Sequence, residues 1–197
     1  MMQSQTDLTL LDTVSPRSSV LIDVVLVLGG SLLIALSAQL AVRLPFSPVP
    51  ITGQTCAVLL VGAFLGSRKG MLSVLAYLAE GAMGLPIFAG GGSGPAWLVG
   101  PTGGYLLGFV AAAWVVGWLC DHLGERSIAG MVVIMLPGSA TIYLLGLPWL
   151  AHFVGVDKAL AFGLIPFLPG DLVKIALAGS ILSLGWRLGP LPGVWRR

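Results

Sequence analysis

Charge is scarce in this sequence. Lys, Arg, Asp and Glu make up 9% of its 197 residues, where a soluble domain of this size carries about 25%. That deficit excludes an ordinary water-soluble fold. Cysteine and histidine are scarcer still, at two each. Cys56 and Cys120 fall in or beside different apolar segments with no short spacing between them, which argues against a disulfide framework or a zinc site. His122 and His152 read as interfacial side chains. There is no Gly-Lys dipeptide and hence no Walker A loop to cradle a nucleotide, and GxGxxG, HExxH and GxSxG are missing too. No basic tract suggests nucleic acid, and a net charge of +2 says little about partners. Without a nucleophile or a metal set the sequence predicts no enzyme and no cofactor. Any uphill transport draws its energy from a gradient or a partner.

What is present is apolar residue, 56% of the chain, punctuated by 28 glycines and 13 prolines. Segments of bilayer-spanning length follow one another, so the expected class is an all-α polytopic membrane protein in contact with lipid. Six spans are expected, at roughly 20–42, 54–67, 70–84, 101–120, 128–150 and 170–187. They form a membrane domain over 20–187, between a polar tail at 1–19 and a short tail at 188–197. The second and third are short for a hydrocarbon core about 30 Å thick. Orientation follows from Lys and Arg. One side holds Arg17, Arg68, Lys69, Arg126, Arg187, Arg196 and Arg197; the other holds Arg43 and Lys158. The bias predicts both termini in the cytoplasm of a cell-membrane protein.

The connections on the expected outer side are long, poor in charge and rich in Gly and Pro: 43–55, 84–104 and 152–170. Irregular backbone at membrane depth persists only when it is buried in protein or lines a cavity. Three such segments on one side predict a lidded pocket near the outer face, although Gly and Pro also mark plain turns. Gly62/Gly66 and Gly104/Gly108 are GxxxG pairs, and Ala176/Ser180 is a looser one; all read as helix-packing positions.

Few polar groups lie inside the spans. In "FLPGDLVKIALAG" (167–179), Lys174 is 13 residues above Arg187, about 20 Å at 1.5 Å per residue. Asp171 is about 24 Å above it, still short of the ~30 Å core thickness. Ionisable groups at that depth are costly and face an interior site. Asp171, after Pro169 and Gly170, also suits a helix N-cap, with Lys174 paired to it at i,i+3. Glu80 in the third span is either a site residue or packed against a polar partner, and Tyr77 shares its face. Asp23 reads as interfacial. Gln54 and Thr55 offer uncharged hydrogen-bonding groups, and Phe88 and Trp97 could stack on a ligand or sit in the aromatic belt.

Four stretches in order, "PVPITGQT" (48–55), "YLAEGAMGLPIFAGG" (77–91), "GPTGGYLLGF" (100–109) and "PFLPGDLVK" (166–174), resemble the BioY family, the biotin-specific substrate-binding (S) components of energy-coupling-factor transporters. The resemblance implies six helices, capture of biotin from outside, and association with a transmembrane coupling (T) subunit and ATP-hydrolysing subunits. It also allows a homo-oligomer acting alone, as a facilitator or proton-coupled carrier with Asp171 and Glu80 as protonatable groups. The Ala-x-x-x-Ala pattern of such components is replaced here by Ser31/Ala35 and Ser37/Ala41. For biotin, the resemblance implies that Asp171 accepts from a ureido N–H and Lys174 donates to the ureido carbonyl. Lys174 or Arg43 could instead meet the valerate carboxylate. Gln54, Tyr77 and Tyr105 would complete the polar contacts, Glu80 is a further candidate, and Phe88 and the 43–55 loop with Thr52 would close over the ligand.

Overall fold

In the computed structural model, residues 20–125 and 127–188 are described, side chains up to residue 185. The expected tail at 1–19, the expected tail at 188–197 after Leu188, and Arg126 lie outside the described residues. Helix α1 (Val20–Gln39) leads into a short hairpin of β1 (Ala41–Val42) and β2 (Ile51–Thr52), in which Ala41 faces Thr52 and Val42 faces Ile51. Then come α2 (Gln54–Ala82), a 3-10 turn at Ala89–Gly91, α3 (Ala96–Val99), α4 (Gly103–Leu123), α5 (Ile128–Val154), α6 (Val156–Gly163) and α7 (Leu168–Leu188).

Five of these helices are long and apolar enough to cross a membrane, yet the sequence predicts six spans. Gly66 reconciles the two numbers. Its φ of 79° and ψ of 175° break α2 into limbs that fold back on each other, a backbone conformation open essentially to glycine alone. Gln54 at the head of the first limb therefore meets Tyr77 near the end of the second, 2.6 Å apart. A straight helix would separate them by about 34 Å at 1.5 Å per residue. The turn is pinned by Asp121 of α4, which accepts from the Ser67 N–H at 3.1 Å and from its hydroxyl at 2.9 Å. Lys69 pairs with Asp23 of α1 at 2.7 Å, a defined partner for a residue expected to be merely interfacial.

Helix α4 lies between the α2 hairpin and α5, α7 bridges α5 back to α2, and α1 covers the outside of the hairpin. Small residues permit these approaches. A Cβ on Gly62 would come within 2.6 Å of the Ala113 carbonyl oxygen, and one on Gly108 within 2.8 Å of the Ile142 Cα. The core sits there, around Ala112, Ala113, Val116 and Met135, none exposed at all. The looser pair does not share this role: Ala176 and Ser180 are exposed, and the Ser180 hydroxyl turns back to the Ala176 carbonyl. Ser31 and Ala35 are buried, with Ser31 bonded to Glu80 in the second limb of α2. That small-residue pair is already engaged within the chain.

Candidate functional site

The three long connections meet at one end of the bundle, opposite Gly66, and enclose a cavity. Its floor and walls come from Thr52 of β2, from the head of α2 (Gln54, Thr55), from Thr102 just before α4 and Tyr105, Leu106 and Phe109 within it, and from α5 (Ile142, Tyr143). Val49 and Pro50 of the β-hairpin, Phe88 and Trp97 of the second connection, and Phe167 before α7 close it. The cavity measures about 50 Å³, against ~300 Å³ or more for a typical small-molecule pocket. A ligand of that class needs more room than the cavity offers in this structure.

Local chemistry explains each wall. Phe88 is fully buried, edge-on to Tyr77 with ring centroids 5.5 Å apart and tilted against Trp97 at 6.0 Å. Its N–H bonds the Gly92 carbonyl at 2.9 Å, closing a tight turn that swings the ring inward. Gly81 is required beneath it, since a Cβ there would run into the ring. The lid hairpin is fastened across the top. Ser47 donates to the Phe162 carbonyl of α6 at 2.8 Å, and the Phe46 ring tilts against that of Phe162 at 6.1 Å. The Tyr105 hydroxyl donates to the adjoining Gly163 carbonyl at 2.9 Å. Both carbonyls are free because a helix leaves its last four C=O groups without partners.

Asp171 and Lys174 pair at 3.0 Å with side chains 6% and 17% exposed, and they do not line the cavity. They stand behind it. Asp171 accepts from Thr55 at 3.2 Å and from Tyr143 through a very short bond. Lys174 donates to the Thr55 oxygen at 3.1 Å. Asp171 is not an N-cap: α7 begins at Leu168, and the Asp171 N–H already bonds the Phe167 carbonyl at 2.9 Å. Pro169 falls in the first turn, where no N–H is needed, so the helix starts before the proline. The carboxylate is free to reach across to α2 and α5.

Of the other expected contacts, Thr52, Gln54, Phe88 and Tyr105 line the cavity. Tyr77 lies behind Gln54. Glu80 faces away, accepting from Ser31 at 2.5 Å, which matches the packing alternative. Arg43 is exposed, its guanidinium over Gly90. Sequence reasoning missed Tyr143 and Thr102 as wall residues. Tyr143 had a signal: it is one of three tyrosines in the chain, and it sits in the middle of its span rather than at an end. His122 and His152 are exposed and bond carbonyls of their own helices at 2.8 and 2.9 Å. Among the described residues no group of His, Cys, Asp or Glu could hold a metal.

Comparison with known proteins places this architecture. Residues 4–190 match the model of the BioY family. A probable biotin transporter BioY of Pyrococcus horikoshii is 42% identical over 146 residues, which is 74% of this chain and 85% of that one. The biotin transporter BioY of Rhizobium etli is 35% identical over 174 residues, 83% of this chain and 93% of that one. The crystal structure of an S-component for biotin from an ECF-type ABC transporter superposes with a TM-score of 0.75 at 25% identity, covering 91% of this chain and all of the other.

Proposed function

The chain belongs to the BioY family, and from that premise we propose that it captures biotin at the lidded cavity as the substrate-binding component of an energy-coupling-factor transporter. It is a multi-pass membrane protein of a transporter family. The observation that carries the proposal is the cavity itself, which is closed by three loops, walled by aromatics and polar along the faces of Thr55, Tyr143 and Gln54. Biotin has a ureido ring with two N–H donors and a carbonyl acceptor, and an apolar thiophane ring and valeryl chain.

The polar wall can be read donor by donor. Tyr143 gives its proton to Asp171 and keeps lone pairs for a ureido N–H, so the carboxylate acts on the ligand through that hydroxyl. Lys174, behind the wall, gives two of its three N–H groups to Asp171 and Thr55, and it acts on the ligand through the Thr55 hydroxyl that it holds at the cavity face. Bonds backed by a charge are roughly twice as strong as neutral ones. Phe88, Trp97 and Phe109 suit the apolar body, and exposed Arg43 at the lid suits the carboxylate. A proton-coupled carrier finds less support, because Glu80 and Asp171 are both held in internal bonds and neither faces the cavity.

In this reading the lid side faces outward and both termini are cytoplasmic, following the Lys and Arg bias. The chain works with a transmembrane coupling subunit and ATP-hydrolysing subunits. Uptake of labelled biotin by cells lacking their own importer, with and without those subunits, tests the partnership. Uptake that needs them supports it; full uptake by this chain alone replaces it with a facilitator.

A further inference from the structure

Helix α1 turns most of its apolar side chains outward, yet polar bonds fasten it to the bundle at regular intervals. Asp23 pairs with Lys69 at 2.7 Å, Ser31 donates to Glu80 at 2.5 Å, and Gln39 reaches the Ile87 carbonyl at 3.2 Å. Positions 23, 31 and 39 follow one another about 12 Å apart along the axis at 1.5 Å per residue. Their partners climb in the same order, from the Gly66 end of the bundle to the lid end. The two lower bonds join helix to helix. The uppermost holds a loop.

The orientation of the Gln39 amide follows from its neighbours. Its Nε2 lies 3.1 Å from the Ala35 carbonyl, 3.2 Å from that of Ile87 and 3.5 Å from that of Phe88. Carbonyl oxygens only accept, so the NH₂ end faces them. One N–H returns to Ala35 and the other goes to the Phe88 turn. The Tyr77 hydroxyl makes a longer contact, 3.4 Å, with the same Ile87 carbonyl. That turn needs an outside anchor. Gly84, Gly90 and Gly91, at φ of 106°, 65° and 81°, flank Phe88, and glycine leaves the backbone free on both sides of it. The bonds from Phe88 N–H to the Gly92 carbonyl and from Gly91 N–H to the Phe88 carbonyl set the shape of the turn. They do not set where it stands over the cavity. Gly94 N–H ties its far end to the Gly81 carbonyl of α2 at 2.8 Å, and Gln39 ties its near end to α1.

We propose that Gln39 is a positioning residue for the cavity: through it α1 holds the Phe88 ring in place between Tyr77 and Trp97. Its consequence for the ligand, slow release, rests on the biotin reading above. Hydrogen exchange of the ligand-free full chain in detergent, and biotin release from it in a chase, test the two halves separately. Gln39 is exposed, so its variants leave the core intact. Gln39→Met keeps the length without a donor, Gln39→Glu sets oxygen against carbonyl oxygen, and Gln39→Lys keeps N–H donors. Gln39→Met and Gln39→Glu are expected to speed exchange at the Phe88, Gly91 and Gly94 amides while the Ser67 amide, at the other end of the bundle, stays as it was. Both should release biotin about two- to tenfold faster, the worth of one hydrogen bond. Gln39→Lys stays near wild type in both measurements, a rescue that a general loss of stability would not show. Exchange or release unchanged in Gln39→Met and Gln39→Glu, or raised equally in Gln39→Lys, overturns the assignment. A wild-type chain that holds no biotin overturns the biotin reading instead, and the exchange arm still decides whether Gln39 positions the turn.

Discussion

Replacing Asp171 by Asn and Lys174 by Met separates what the pair does for the fold from what it does for the ligand. Each single variant leaves a buried or half-buried group without its partner, which costs about 3–5 kcal/mol, and a lowered melting temperature is expected. The double variant replaces a buried ion pair by neutral side chains of similar volume, a change that is often neutral or stabilising, so melting recovers. Biotin affinity measured by calorimetry stays low in all three. A double variant with wild-type affinity would show that the pair only supports the helices. The pair itself was legible in the sequence, because two opposite charges inside an apolar run need a reason to be there. Their partners were not. Thr55 and Tyr143 lie 116 and 28 residues from Asp171, and no local pattern links positions so far apart. Glu80 was left between two readings for the same reason, its partner Ser31 being 49 residues away.

The elements that close the cavity act as a clasp. The free carbonyls at the end of α6 hold the lid hairpin through Ser47 and the α4 wall through Tyr105. Ser47→Ala combined with Phe46→Ala removes the lid side of that clasp and leaves the cavity wall untouched. The variant is expected to release bound biotin about tenfold faster or more in a chase experiment, since one hydrogen bond is worth about 1 kcal/mol and an aromatic pair about 0.5–1.5 kcal/mol. An unchanged dissociation rate would mean the hairpin is not the gate. At the other end of the bundle, Gly66→Ala places a side chain at φ 79° and should destabilise by about 1–3 kcal/mol, read as a lower melting temperature. The sequence marked both regions, one as a Gly- and Pro-rich loop and the other as a short charged turn between two short spans. It did not reveal that the loop pairs as a hairpin or that α6 forms within the third connection. Two-residue strands and an eight-residue helix are held by tertiary contacts rather than by local periodicity.

At the scale of the molecule, charge scarcity predicts the class and the uneven placing of Lys and Arg predicts the direction. Lys158 on the lid side and Arg68 at the hairpin turn are both exposed. With Cys56 and Cys120 replaced by Ala, Lys158→Cys should react with an impermeant thiol reagent in intact cells, and Arg68→Cys only after permeabilisation; the reverse pattern would invert the topology. The six-span layout was readable because long apolar runs and their breakers are properties of the chain alone. Convergence of three distant loops over one cavity is a property of the packed bundle, which the sequence implied only through the length and composition of those loops. The central claim is that this cavity is a biotin site, and its most direct test is calorimetric titration of the purified, ligand-stripped chain with biotin and, in parallel, with thiamine and riboflavin. Saturable one-to-one binding of biotin is expected, with no heat from the other two. Saturation by another vitamin, or no binding of biotin, would contradict it.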